Sequence, residues 1–374
     1  MAVGLGLSIG TVNTVSALAE EGSAKAPPGR RSAAERSLAI TRRTTLTFDS
    51  TGMARVGMIP RHGRAITEFA DLSQPKTKQA RVGHRALTAA DLIAVATECL
   101  ITEARRDRGA VGARVMLTHP ACYTEGRVGE VRAALDAIGL SHVELVAEPV
   151  AAATWLEVER GPLMPGLALV YDLGGASLDI TLVRVGAGRP RNPIVGVPIR
   201  STDFGGRAFG ALVAARAGNG TAPAAISGVT ADELRTIHIR SSLQLVYRCL
   251  RMADVTMADV DCVLVVGGAA RPVEVAQVLA DELARPVITA PDPERTIADG
   301  AAILARRAAA TDEDATGHHR RRRATTRALL LSRRTRRRLT RVAIAAGMSA
   351  AGVALALALP ADTVVAGLSQ LGLR

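Results

Sequence analysis

Along this chain the spacing of apolar positions switches repeatedly between periods, and the switches mark alternating strands and helices. Residues 3–9, VGLGLSI, are small and apolar throughout and predict a buried strand. The GT at 10–11 predicts a turn, and a second strand runs to Leu18. Residues 20–37 are polar, carry APPGRR and read as a surface loop, whereas 44–58, TTLTFDSTGMARVGM, read as a short hairpin turning at DSTG. Residues 60–86 are irregular and basic.

From Thr88 the period becomes helical. Thr88 is placed to cap the helix, Asp91 lies in its first turn, and arginines end it. A strand at 114–120, a helix at 124–139 stopped by Gly139, a strand at 142–149 and a helix at 150–160 follow. Residues 167–185, LALVYDLGGASLDITLVRV, are two apolar runs around a turn of small residues. A strand at 193–200 leads through STDFGGRAFGALVAAR into a helix, and 217–229 form a short flexible connection. A long helix at 230–253, a buried strand at 261–268, a helix at 272–284, a strand at 286–289 and a helix at 296–307 complete an α/β body that ends near residue 310.

Two of these segments repeat one another. LSIGTVNTVSAL (7–18) and YDLGGASLDITL (171–182) align without gaps, 164 residues apart. Gly10 falls on Gly174, Thr11 on Gly175, Asn13 on Ser177 and Ser8 on Asp172. Such a pair predicts two related halves facing each other. Small residues in the turns let backbone N–H groups approach phosphate oxygens. Asp172 and Asp179 flank the second turn, and carboxylates so placed can hold Mg²⁺ through its waters. The plainer reading of Asp179 is a strand-end acid paired with an arginine such as Arg184. Glu148 closes one strand and opens the next helix, and the glycines of VLVVGGAARP end a strand where bare backbone could lie against a nucleoside.

Composition narrows the possibilities. A hydrophobic content of 48% excludes a disordered chain, and with 2% aromatics the core is built from Ala, Val, Leu and Ile. The net charge of +12 is local: residues 320–341 hold eleven arginines and no acid, so the body itself is close to neutral. That excludes reading the whole chain as a nucleic-acid binder, and the tract has no aromatic residue for stacking on bases; no nucleic-acid partner is expected. Cys99, Cys122, Cys249 and Cys262 have no CxxC or metal spacing and read as reduced, mostly buried thiols. The N-terminus lacks a basic residue ahead of its apolar part and is interrupted by Thr11, Asn13, Thr14 and Ser16, so strand–turn–strand fits better than a signal peptide.

Residues 342–359, VAIAAGMSAAGVALALAL, carry no charge. At ~1.5 Å per residue such a helix approaches the ~30 Å hydrocarbon thickness. It is alanine-rich, and a buried soluble helix is the alternative. Its place after an arginine-rich linker predicts a transmembrane anchor, with the linker on anionic lipid headgroups. The expected localisation is then the cell membrane, single-pass, with the N-terminal body cytoplasmic. His318 and His319 belong to the solvated linker.

Taken in order, LSIGTVNT, AEPVAAA, DLGGASLDITL, VLVVGGAARP and ADGAAILA resemble the nucleotide-binding domain of the seventy-kilodalton heat-shock chaperones (DnaK-type), with LTHPACYTEGRVGEVRAALDAIGL following the same pattern of strand, proline and helix. The resemblance covers residues 3–308 and lacks the substrate-binding domain. It implies an α/β, bilobal actin-like ATPase with ribonuclease H-like duplicated lobes, a shortened second lobe and a C-terminal transmembrane helix. The domains would be a first lobe at 1–147, a second lobe at 148–310 with its clamp subdomain largely missing, an Arg-rich linker at 311–341, the membrane helix at 342–359 and a tail at 360–374.

Carried over residue by residue, the resemblance gives Asp172, Asp179 and Glu148 as catalytic, with Asp172 and Asp179 holding Mg²⁺ and Glu148 polarising the attacking water. Gly10, Thr11, Asn13, Gly174, Gly175 and Ser177 would contact phosphates, and Gly267, Gly268 and Arg271 the nucleoside. The cofactors implied are ATP or ADP with Mg²⁺, and an unidentified protein partner or client is expected. Several positions depart from the pattern. Ser8 replaces an aspartate, Ala176 replaces a third glycine, residues 211–227 are too short for the clamp, and only Lys76 and Lys78 lie near the place of the catalytic lysine. The expected function is a membrane-anchored ATPase that hydrolyses slowly and closes its lobes, chaperone-like or regulatory. The alternative is a non-hydrolysing pseudo-ATPase scaffold or nucleotide sensor at the membrane.

Overall fold

Two five-stranded sheets with the same strand arrangement frame the body. They belong to a computed structural model that describes residues 2–20, 39–49, 52–59, 65–74, 79–82, 85–161, 163–218 and 230–312. The first sheet is built from β1 (Val3–Ile9), β2 (Asn13–Glu20) and β3 (Ile40–Arg43). Two small hairpins follow, β4 (Leu46–Phe48) with β5 (Ala54–Val56), and β6 (Ala80–Val82) with β7 (Arg85–Leu87). The latter lies in the stretch 60–86 that reads as irregular from sequence. Strands β8 (Arg114–His119) and β9 (Glu144–Ala147) complete the sheet in the order β3-β2-β1-β8-β9.

The second sheet takes β10 (Gly166–Leu173), β11 (Leu178–Val185), β12 (Ile194–Ser201), β13 (Cys262–Val266) and β14 (Val287–Thr289) in the order β12-β11-β10-β13-β14. In both sheets an antiparallel meander of three strands is extended by two parallel ones. Even the register repeats: Ser8 pairs with Val15 in the first hairpin, as Asp172 pairs with Asp179 in the second.

Helices cover the sheets as the period-2 alternation of the strands demands. Helix α1 (Ala89–Arg108) starts in a capping box, where the Thr88 hydroxyl accepts from the Asp91 N–H and the Asp91 carboxylate accepts from the Thr88 N–H at 2.8 Å. It ends at Gly109 in the left-handed region, φ 64°. Leu5 and Leu7 of β1 pack beneath α1 and α2 (Glu125–Ala137) in one core with Leu92, Leu100 and Leu135. Next come α3 (Glu148–Glu159), α4 (Gly206–Gly218), α5 (Ala231–Met252), α6 (Val273–Leu283) and a final helix, α7, at 296–312. Leu169 and Tyr171 of β10 face α5 and α6, whereas Ala168 and Val170 face α3 around Trp155 and Leu156.

The helices that join the two sheets exchange places. α3 follows the first sheet in sequence, yet it packs on β10, β11 and β13 of the second. α7 follows the second sheet, and its Ala298 and Ala302 bury against Val15 and Ala17 of β2 in the first. They touch where Gly300 lies against the Ala151 carbonyl, so close that a Cβ there would sit 1.8 Å from the oxygen.

Among the described residues no helix is long and apolar enough to cross a membrane. The transmembrane helix expected at 342–359, the Arg-rich linker and the tail lie outside the described residues, as do Lys76 and Lys78. The expected membrane helix is therefore no part of the described fold; its alanine-rich sequence carries only marginal hydrophobicity.

Candidate functional site

The two repeated hairpins point their turns at one another across a cleft of about 660 Å³. Each turn closes in the same way. The Gly10 N–H donates to the Asn13 carbonyl at 3.0 Å, and the Gly174 N–H to the Ser177 carbonyl at 2.9 Å. Each is also held from behind. The Thr44 hydroxyl donates to the Gly10 carbonyl at 2.6 Å, and the Gly206 and Arg207 N–H groups, opening α4, donate to the Gly174 and Gly175 carbonyls at 3.0 and 2.8 Å. With carbonyls tied back, the small residues between are left to line the cleft with backbone. The tips meet at Gly175, where a Cβ would fall 2.2 Å from Val12 Cγ2.

Strand parity places the acids. Asp172 shares the face of β10 that carries Ala168 and Val170, and so points to the side covered by α3, whose first residue is Glu148. Asp179 is its register partner on β11. Gly267, at φ 94°, ends β13 beside them; a Cβ there would stand 2.5 Å from Asp172 Oδ1. Its missing side chain thus makes room for the carboxylate, a role that sequence reasoning, assigning it to a nucleoside, does not supply. Gly268 and Arg271 continue along the cleft wall, and Arg271 forms a close bidentate ion pair with Glu294.

Gly10, Thr11, Asn13, Gly174, Gly175 and Ser177 line the cleft together with Glu148, Asp172 and Asp179. The structure brings every sequence-derived site residue to one place. It also adds residues that sequence reasoning misses. Arg200 of β12 is the register partner of Asp179 and donates to its Oδ1 at 3.2 Å. Its other terminal nitrogen reaches Asp71 Oδ2 at 3.3 Å. Asp179 therefore pairs with Arg200 and not with Arg184, which stands five residues along the same strand, on its opposite, exposed face. Only the β11–β12 register could have signalled this pair. Ser8 also lines the cleft, buried, in the position matching Asp172.

These carboxylates are not equally provided with positive charge. Burial and then the neighbouring Asp179 push Asp172 up to about 7. Burial, followed by Asp172 and Asp179, pushes Glu148 well above the ordinary carboxylate range. Burial also raises Asp179, against the pull of Arg200 and of the Ser177 hydroxyl, which donates to Oδ2 at 3.0 Å. Burial opposes ionisation of Asp71 too, but Arg200 and the Ser73 and Gln74 hydrogen bonds outweigh it and hold this group below its usual range.

A divalent cation fits this donor set. Glu148 and Asp172 have no ion-pair partner among the described residues, and burial, with repulsion from the neighbouring carboxylates, raises both. Among the described residues no group of three or more His, Cys, Asp or Glu is placed to hold a metal directly. Mg²⁺, which keeps most of its water shell and needs few carboxylates, matches such an arrangement. The four cysteines are free, and burial pushes each thiol up to about 11.

Duplicated sheets, exchanged helices and a two-turn cleft define the actin-like ATPase fold. Residues 68–218 match the family model described as "Hsp70 protein", and residues 215–309 match "FGGY family of carbohydrate kinases, C-terminal domain". These matches support an Hsp70-type nucleotide-binding domain, of a family whose ATPases use ATP or ADP with Mg²⁺. Relatives include "Chaperone protein HscA homolog" of Pseudomonas fluorescens, 26% identical over 253 residues, covering 57% of this chain and 40% of that protein. "Chaperone protein HscA" of Yersinia pseudotuberculosis is 27% identical, covering 57% of this chain and 38% of that protein. The protein of the same name from Proteus mirabilis is 28% identical, covering 58% and 41%. The match thus spans about two-fifths of these relatives' length. The localisation expected from the sequence, single-pass in the cell membrane, is corrected: the relatives are chaperones of this name, and no helix among the described residues can cross a membrane.

Proposed function

We propose that this protein is a chaperone-like ATPase that binds ATP or ADP with Mg²⁺ between its two lobes, hydrolyses ATP slowly, and passes the resulting change in lobe closure to a protein partner or client. The observation that carries this reading is the meeting of two glycine turns with Glu148, Asp172 and Asp179 along one cleft of about 660 Å³. A bound Mg²⁺ supplies charge neutralisation at the polyphosphate and a shell of ordered water. Asp172 and Asp179 would hold that ion, through its waters. The backbone around Thr11 and Gly175, with the Asn13 and Ser177 side chains, takes the phosphate oxygens, and Gly268 and Arg271 border the nucleoside. Glu148, made more basic by burial, orients the attacking water and accepts its proton. Lobe closure is supported by ion pairs that already span the cleft, Arg200 with Asp71 and Arg207 with Glu68 at 3.5 Å.

A second reading, a non-hydrolysing scaffold or nucleotide sensor, is favoured by one observation. The first hairpin offers Ser8 and Val15 at the register positions that hold Asp172 and Asp179 in the second. Phosphoryl transfer depends on placed charge, so the want of an acid at Ser8 slows chemistry more than binding.

Thermal unfolding of the full chain with Mg·ATP tests the binding step. A true site adds about 2.7 kcal/mol at a hundredfold excess over Kd. An unchanged melting curve at millimolar nucleotide overturns the ATPase and the nucleotide sensor and leaves the scaffold. Phosphate release under single-turnover conditions then separates the ATPase from the sensor.

A further inference from the structure

Of the arginines that line the cleft, Arg200 is the one ion-paired to Asp179. It is 11% exposed, lies among the acids expected to hold metal, and is fixed by three neighbours: Asp179 Oδ1 at 3.2 Å, Asp71 Oδ2 at 3.3 Å and the Cys122 sulfur at 3.8 Å. Its origin is local. Strand β12 lies antiparallel to β11, with Arg200 opposite Asp179, and a cross-strand pair of opposite charge is the stable arrangement there. Its reach is not local, because Asp71 stands between Ala70 and Leu72, which belong to the core of the first sheet. The guanidinium is also incompletely used. Its Nε is buried and finds no acceptor among the described residues, while Arg200 lines the cleft. A buried N–H without a partner is costly, and a phosphate oxygen is the acceptor a guanidinium matches best.

We propose that Arg200 is a resident cation of the nucleotide cleft: it holds Asp179 to Asp71 of the first lobe, a divalent ion gains Asp179 only by displacing it, and its unused donor serves phosphate. The inference rests on the nucleotide reading for the phosphate contact alone; the guarding of Asp179 stands on the protein's own geometry. It gives this site a property that the resemblance does not supply, metal binding that is weak without nucleotide and nucleotide binding that tolerates the absence of metal.

The test is a titration of the full chain with Mn²⁺ alone, read by the electron-spin resonance signal of the free ion. Wild-type protein should bind Mn²⁺ weakly. Arg200→Met should bind it at least ~10-fold more tightly, since removal of an adjacent positive charge strengthens a carboxylate for cations. Arg200→Lys should stay near wild type, and Arg200→Met with Asp179→Asn should lose the gain. Tight Mn²⁺ binding by wild-type protein overturns the proposal without any variant, so it is decided even where Arg200→Met does not fold. An unchanged affinity in a folded Arg200→Met overturns it as well. A fluorescent ATP analogue titrated with and without chelator completes the test: wild type should keep binding within ~10-fold when metal is removed, while Arg200→Met should lose it. Binding by wild-type protein only with metal overturns the phosphate contact. No binding under either condition overturns the nucleotide reading and with it that contact, while the Mn²⁺ comparison still decides the guarding of Asp179.

Discussion

Ser8 stands in the first hairpin where Asp172 stands in the second, two residues before the turn glycine and on the strand face that borders the cleft. The two halves share backbone geometry, and they differ in charge. One half supplies two carboxylates opposite each other, Asp172 and Asp179; the other supplies Ser8 and Val15.

Restoring an acid to the first hairpin tests how much this difference matters. Ser8→Asp should raise single-turnover ATP hydrolysis by about tenfold or more, because phosphoryl transfer responds to charge placed at the reacting groups. Nucleotide affinity measured alongside should change little. An unaltered rate in a folded variant would place the first hairpin outside the chemistry.

Glu148→Gln separates binding from catalysis. The amide keeps the shape at the start of α3 but cannot accept a proton, so hydrolysis should fall by about 10²–10⁴-fold. Nucleotide binding should be retained, since one of the crowded negative charges beside Asp172 is gone. A variant that still hydrolyses at the wild-type rate assigns the proton to another group.

The pH dependence of stability follows from Asp172. In the unfolded chain this carboxyl ionises near ~4, whereas burial and Asp179 push it to about 7 in the folded protein. Between these values the folded protein holds a proton that the unfolded chain has released, so stability decreases as pH rises from ~4 towards ~7. Urea unfolding midpoints should therefore fall from pH 5 to pH 7 without metal, and Asp172→Asn should remove much of that fall. Parallel profiles for the two proteins would show that Asp172 is not the group responsible.

At the crossing of α3 and α7, Gly300→Ala inserts a methyl group 1.8 Å from the Ala151 carbonyl oxygen. The helices must move apart, and overpacking of this kind costs about 1–3 kcal/mol or more. Denaturant unfolding measures it. Because α7 packs on the first sheet and α3 on the second, the loss should also weaken nucleotide binding; stability equal to wild type would mean the crossing has slack.

Much of the site was legible because its parts are local. A hairpin keeps Gly174, Ser177, Asp172 and Asp179 within a few residues of one another, and the gapless match of 7–18 to 171–182 carries that geometry to Gly10 and Asn13. Capping residues did the same for α1, where Thr88 and Asp91 meet as their spacing requires. Other features had no local signature. Arg200 reads from sequence as a polar end to a strand, Gly267 as a nucleoside contact, and α7 as the last element of the second lobe.

Periodicity, turn chemistry and internal repetition, written in residues close in sequence, determined the alternating elements, the duplicated hairpins and the acids beside them. The tertiary structure decided which charge answers which: Arg200 joins Asp179 to Asp71, Arg271 joins Glu294, and Gly267 gives Asp172 its space. These contacts depend on strand register and on the approach of segments distant in sequence, and cross-strand and inter-lobe distances exist only once the two sheets have packed around their exchanged helices.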